Sequence, residues 1–112
     1  MVKVKPIPKR VLPHTIEYER YAGEGRNGPT YDMAITVKNV RIEPTSEKVV
    51  DSNGVQIQLK SKLFIDAVNS TPLVHLKEKS VIHFGGNDYY VQAVATYYAN
   101  SSNVHHWELR LT

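Results

Sequence analysis

Residues 55–67, VQIQLKSKLFIDA, put Val55, Ile57, Leu59, Leu63, Ile65 and Ala67 all at odd positions. Side chains on a β-strand alternate between two faces, so an apolar stripe of period 2 marks a strand with one buried face. The polar break at residues 60–62 predicts one long strand or two joined by a kink. Outward from this stretch the same period recurs. Ile16 and Tyr18 alternate with Thr15, Glu17 and Glu19, and Ile82 and Phe84 alternate with Val81 and His83. At the C-terminal end His105, Trp107, Leu109 and Leu111 share one parity. No window of eleven or more residues shows a clean 3.6-residue apolar period.

Two segments break phase in a way that has a physical reading. In residues 34–43, AITVKNVRIE, Ile35 and Val37 are odd whereas Val40 and Ile42 are even. One extra residue in a strand flips everything beyond it, so a β-bulge near Asn39 returns all four to one face. Residues 89–98 change phase between Ala93 and Val94, which predicts a second bulge. Gly85-Gly86-Asn87-Asp88 between apolar runs is hairpin-turn chemistry. Short strands with bulges favour a closed surface, because closure removes exposed edges. The fold expected is all-β: a small closed or partly open antiparallel β-barrel of five to six strands over residues 14–112, preceded by an extended arm over residues 1–13. At 112 residues the chain has room for one core.

The charge is unevenly divided. Lys3, Lys5, Lys9 and Arg10 give the arm four positive charges and no acid, leaving ten basic against eleven acidic side chains in the remainder. The body is therefore close to neutral and unlike a nucleic-acid surface. Pro6, Pro8 and Pro13 push the residues before them toward extended geometry. A stiff segment with apolar anchors loses little entropy on docking, so the arm is expected to dock on a neighbouring protein through Lys5, Ile7, Lys9, Arg10 and Leu12. Contact with DNA phosphates and a solvated tail are the competing readings.

Residues 23–32 read as a glycine-rich loop and residues 44–54 as a polar loop ending in the turn pair Asn53-Gly54. Residues 68–79 read as a connection in which Thr71-Pro72 caps a short helical turn. Gly23, Gly25 and Gly28 satisfy G-x-G-x-x-G, but the pattern needs a following helix to hold a pyrophosphate, and here Pro29, Tyr31 and another strand follow. The chain has no cysteine, which excludes disulfides, thiolate metal sites and cysteine nucleophiles. His105 and His106 are neighbours on a strand, so they face opposite sides and are poorly placed to share a metal even with His75 or His83 nearby. No G-x-S-x-G elbow marks a nucleophile. No catalytic, cofactor-binding or metal-ligating residues are expected, and no enzyme activity.

Asn69-Ser70-Thr71 and Asn100-Ser101-Ser102 fit the glycosylation pattern but read as turns, since residues 1–13 lack the apolar region of a secretion signal. No segment approaches the ~20 apolar residues of a membrane helix, so a soluble, unexported chain with no membrane partner is expected. Seven Tyr stand against two Phe and one Trp, a bias suited to strands and half-wet interfaces. Because strand faces alternate, about half of Tyr89, Tyr90, Tyr97 and Tyr98 are expected in the core.

Residues 6–18 (PIPKRVLPHTIEY), 37–44 (VKNVRIEP), Asp51-Ser52-Asn53, 84–91 (FGGNDYYV) and 105–111 (HHWELRL) resemble, in order, the minor capsid proteins of tailed phages and prophages of Gram-positive bacteria. The resemblance covers nearly the whole chain. It implies a structural virion protein, made in the host cytoplasm and placed in the neck between head and tail. There it would be a head-completion, or stopper, subunit: a compact β-barrel in a ring of neighbouring copies, meeting portal or adaptor and tail-side neck proteins. The ring would close the portal channel and retain packaged DNA by a loop projecting into the channel. By position, residues 44–54 are the candidate, with Glu47, Lys48, Val49, Val50, Asp51, Ser52 and Asn53 toward the DNA, and residues 23–32 are second. No cofactor is implied. The residues alone also allow a generic β-barrel binding module for a protein or nucleic-acid partner.

Overall fold

The computed structural model describes residues 4–112, so Lys3 of the arm lies outside the described residues. Ten strands follow in order: β1 (His14–Glu19), β2 (Tyr21–Gly25), β3 (Gly28–Tyr31), β4 (Ile35–Pro44), β5 (Lys48–Val50), β6 (Gln56–Gln58), β7 (Ser61–Asp66), β8 (Val81–Phe84), β9 (Asn87–Tyr98) and β10 (Val104–Leu111). Six of them close an antiparallel barrel in the order β1-β4-β7-β10-β9-β8, with β8 returning to β1. The all-β barrel read from the sequence is the fold observed. The stripe supplies the core: Leu63 and Ile65 pack with Ile16, Tyr18, Val37, Val40, Ile42, Ile82, Leu109 and Leu111.

The bulge expected near Asn39 is there. His14 faces Val40 while Thr15 faces Lys38, leaving Asn39 as the extra residue with φ 59°. Val37 and Val40 are consequently both fully buried. The second bulge falls at Gln92, between the pairs Leu111 with Val91 and Arg110 with Ala93. A third, unanticipated, falls at His105, where Val104 faces Tyr98 and His106 faces Tyr97. Each local doubling bends its strand, which helps a narrow sheet curl shut. In the β8–β9 hairpin, Gly85 and Gly86 take φ 59° and 80°, the left-handed pair that a two-residue turn matching strand twist requires.

The pairings assign every connection to one end of the barrel. The end reached by β1 carries the β2–β3 hairpin, residues 67–80 and the tip of the β9–β10 hairpin. The opposite end carries the β5–β6 hairpin, the Gly85-Gly86 turn and the C-terminus. We refer to them as the upper and lower ends. Extents of 51 × 32 × 25 Å and a radius of gyration of 14.6 Å, against ~13 Å for a compact chain of this length, reflect these excursions.

Several local expectations are corrected. Residues 23–32 are not an open loop, because β2 and β3 pair as a hairpin. Residues 44–54 supply β5, which pairs with β6. The stripe at 55–67 is therefore two strands in different sheets, parted at Leu59 and Lys60. No helical turn follows Thr71-Pro72; Thr71 instead bridges Lys38 in β4. The one helical turn among the described residues is a 3-10 turn at Lys9–Val11, inside the arm expected to be extended.

Candidate interaction surfaces

The β5–β6 hairpin holds all seven residues singled out between 47 and 53. Its base is tied to the barrel by the backbone, with the Thr45 amide donating to the Lys60 carbonyl and the Leu59 amide to the Glu47 carbonyl. Lys62, on β7, braces it further. Its ammonium lies 2.6 Å from Glu47 and 3.3 Å from Glu108 of β10. The hydrogen bond to Glu47 holds the Lys62 pKa above its ordinary value, against the opposing effect of partial burial. At the tip, Asp51 accepts the amides of Asn53 and Val55, both at 2.9 Å, an arrangement that fixes a turn locally. Between base and tip, Val50 and Val55 are 66% and 56% exposed. Glu47 and Asp51 balance Lys48 and Lys60, so the hairpin is neutral overall, and its two exposed valines flank a polar turn at residues 51–54.

The arm lies against its own barrel. Asp66, the fully buried last residue of β7, accepts the Ile7 amide at 2.9 Å and the amides of Val68 and Asn69 at 2.9 and 2.8 Å. Asn69 Nδ2 donates to the Ile7 carbonyl at 2.8 Å, and the Lys5 carbonyl accepts from His105 Nε2 at 2.7 Å. Leu12 is 2% exposed. Of the five arm residues singled out, Leu12 is thus buried within the chain, Lys5 and Ile7 are held by it through their backbone, and Lys9 and Arg10 are exposed. The periodicity did not reveal these ties, which join residues 59 to 100 positions apart. Asp66 itself showed only as a polar residue beside an apolar stripe.

At the upper end the Tyr18 hydroxyl, buried at the rim of the core, accepts the Lys77 amide at 3.0 Å and donates to the His75 carbonyl at 2.9 Å. Ser80 Oγ, 3.1 Å from that hydroxyl, accepts the Tyr21 amide. Residues 74–80 are thereby fastened across the barrel mouth, and the β2–β3 hairpin is fastened to them. Arg20 and Asp32 close the hairpin base with an ion pair at 2.7 Å. Tyr21 packs edge-on to Tyr31 and donates to Glu24, a bond that raises its pKa.

β9 outruns its neighbour β8. Residues 87–90 pair with β8, whereas from Ala93 to Tyr98 the strand is paired only with β10. None of the four late tyrosines is fully buried, contrary to the expected half. Tyr89 packs against the core, and Tyr90, Tyr97 and Tyr98 are exposed. The alternation argument fails for the last pair because that part of β9 stands beyond the core.

The histidines form two contrasting clusters. His83, on β8, lies between Glu19 of β1 at Nε2 and Asp88 of β9 at Nδ1, the latter at 2.5 Å. These hydrogen bonds, first to Glu19 and then to Asp88, raise its pKa. His105 and His106, expected to diverge, meet at 2.8 Å between their Nδ1 atoms, because the bulge at His105 interrupts alternation. His105 Nε2 donates to Lys5, so its Nδ1 accepts from His106. His106 stacks on Tyr97 at 4.8 Å, and burial, then His105, lowers its pKa. Among the described residues no group of three His, Asp or Glu is arranged to hold a metal ion, and no helix is long and apolar enough to cross a membrane.

A family model described as minor capsid protein matches residues 8–111, from within the arm to the end of β10. No curated protein and no solved structure matches the chain.

Proposed function

This chain belongs to the minor capsid protein family, and from that premise we propose that it is a head-completion subunit of a phage neck, acting as a stopper in a ring of identical copies. Family membership itself implies a structural part of the virion, in contact with other virion proteins, and favours a structural over a catalytic role. The neck position and the ring are the finer steps. In this reading the portal or an adaptor lies on one side of the ring and tail-side proteins on the other. The β5–β6 hairpins of neighbouring copies converge in the channel and hold the packaged DNA back.

The observation that carries the reading is the form of that hairpin. It is fixed to the barrel wall by Lys62 and by backbone bonds, yet leaves Val50 and Val55 in solvent. Apolar side chains held out on a braced stem suit contact with other protein groups, here the same tip on adjacent subunits, better than contact with phosphates. A barrier made of converging tips blocks DNA sterically and needs no positive charge.

The chain has no cysteine, so a single engineered thiol reports unambiguously. Val50→Cys is expected to give disulfide-linked dimers of this protein when intact virions are oxidised, whereas Arg26→Cys at the tip of the β2–β3 hairpin is not. No dimer from Val50→Cys, or equal dimer from both, would remove the convergence of the hairpins.

A further inference from the structure

The barrel is closed where β8 flanks β9, but β8 spans only Val81–Phe84. Above it the backbone of β9 bonds to Ser80 and Lys79 through Val91, and residues 93–98 then have no partner on that side among the described residues. Exposed edges are normally protected by charge, proline or a bulge within the edge. Residues 93–98, AVATYY, contain no charged residue and no proline, and the nearest bulge lies before them at Gln92. Six residues of strand offer an edge ~20 Å long at 3.3 Å per residue.

The edge borders a groove of about 430 Å³ lined by Val94, Leu76, Tyr21, Lys77, Glu78 and Lys79. Leu76 and Val94 pack against the core and give it an apolar floor. The ammonium groups of Lys77 and Lys79 both lie over the Tyr21 ring, at 5.4 and 5.5 Å from its centre. Neither forms an ion pair among the described residues. With Glu78 in the same lining, the two lysines leave the groove one net positive charge, which favours an incoming carboxylate.

We propose that the free edge of β9 at residues 93–98 receives an additional β-strand from an extended, acidic segment of a partner protein, whose carboxylates are met by Lys77 and Lys79. The backbone ladder supplies affinity that tolerates sequence variation, and the two lysines supply the preference for acid. This surface lies at the opposite end of the barrel from the β5–β6 hairpin, and the proposal holds whether or not that hairpin closes a channel.

The test uses the full chain, labelled with 15N, and three synthetic ten-residue peptides. One alternates Glu with Val and Thr, the second carries Lys in place of Glu, and the third is the acidic peptide N-methylated at alternate residues. The acidic peptide is expected to shift the amides of residues 93–98 and 76–79, and to weaken at least ~5-fold between 0.05 and 0.5 M salt as its charges are screened. The lysine peptide should bind at least ~10-fold more weakly, and the N-methylated peptide, which cannot form the ladder, should not bind at that edge. The double variant Lys77→Glu, Lys79→Glu should reverse the preference. Equal binding of acidic and lysine peptides, undiminished binding of the N-methylated one, or shifts confined to other surfaces would overturn the proposal. So would concentration-dependent dimerisation of the chain alone that protects the amides of residues 93–98, since that puts a second copy on the edge.

Discussion

Two hairpins leave the barrel, one from each end, and they are held in different ways. The β2–β3 hairpin folds back on the molecule: its Tyr21 amide reaches Ser80, its Tyr21 ring lies beneath Lys77 and Lys79, and Arg20 and Asp32 clasp its base. The β5–β6 hairpin is fixed only at its root, by Glu47, Lys62 and the Leu59 amide, and carries exposed valines beyond it. A hairpin whose side chains are paired within the chain holds no large apolar group out on its own stem. One that holds apolar groups out on a braced stem leaves burial to be completed by something else. The contrast supports the contact role proposed for the β5–β6 hairpin and makes the β2–β3 hairpin part of the scaffold that frames the β9 edge.

The largest effects should come from the upper end. Tyr18→Ala removes a buried ring and its bonds to the Lys77 amide and His75 carbonyl, and should cost about 4 kcal/mol in urea unfolding. Tyr18→Phe, which removes only the hydroxyl, should cost about 1.5 kcal/mol. If both variants unfold like the parent protein, residues 74–80 and the upper hairpin are not fastened through Tyr18. Lys62→Met should cost about 1 kcal/mol globally, because it releases the half-exposed Glu47 and leaves the more buried Glu108 without its cation. Its sharper signature is local: amide exchange should accelerate in β5 and β6 and stay unchanged in β2 and β3.

A smaller effect is read against pH. His83 has a raised pKa from Glu19 and Asp88, so its stabilising contribution is complete below the unfolded value of ~6.5 and is lost as pH rises through the folded value. His106 has a lowered pKa from burial, so its contribution is present above ~6.5 and is lost as pH falls through the folded value. In thermal scans from pH 5 to 9, His83→Gln should flatten the alkaline decline and His106→Gln the acid one. The opposite assignment would contradict the geometry of both clusters. Smallest of all, Val50→Ser and Val55→Ser should change stability by less than about 0.5 kcal/mol. A larger loss would mean that these valines already have partners within the chain.

How much of this was legible follows from what each signal depends on. Strand alternation is local, and it located the barrel strands and, through the parity break between Val37 and Val40, the bulge at Asn39. The division of residues 55–67 showed as one of two readings, but the change of sheet did not, because β6 and β7 keep the same parity across Leu59 and Lys60. The β2–β3 hairpin and β5 read as loops because these strands are short, polar or glycine-rich and pair within their hairpins instead of burying a face against the barrel. The backward docking of the arm depends on Asp66, Asn69 and His105, distant in sequence and carrying no periodic signal. The meeting of His105 and His106 depends on a bulge that two adjacent histidines do not announce. Residues 47–53, the channel candidates, read as a loop before a strand at residue 55 and are instead one strand and the turn of a hairpin, with Lys62 as its brace and Val55 as its second exposed valine.

We propose that the β5–β6 hairpin, and not the barrel itself, retains the genome. The most direct test is the nuclease-protected DNA content of virions carrying this protein with residues 48–58 replaced by a short Gly-Ser turn. The expected result is a folded protein that still enters particles, with heads that assemble but lose their DNA. Particles that contain the variant and keep full-length protected genomes at parental levels would contradict it.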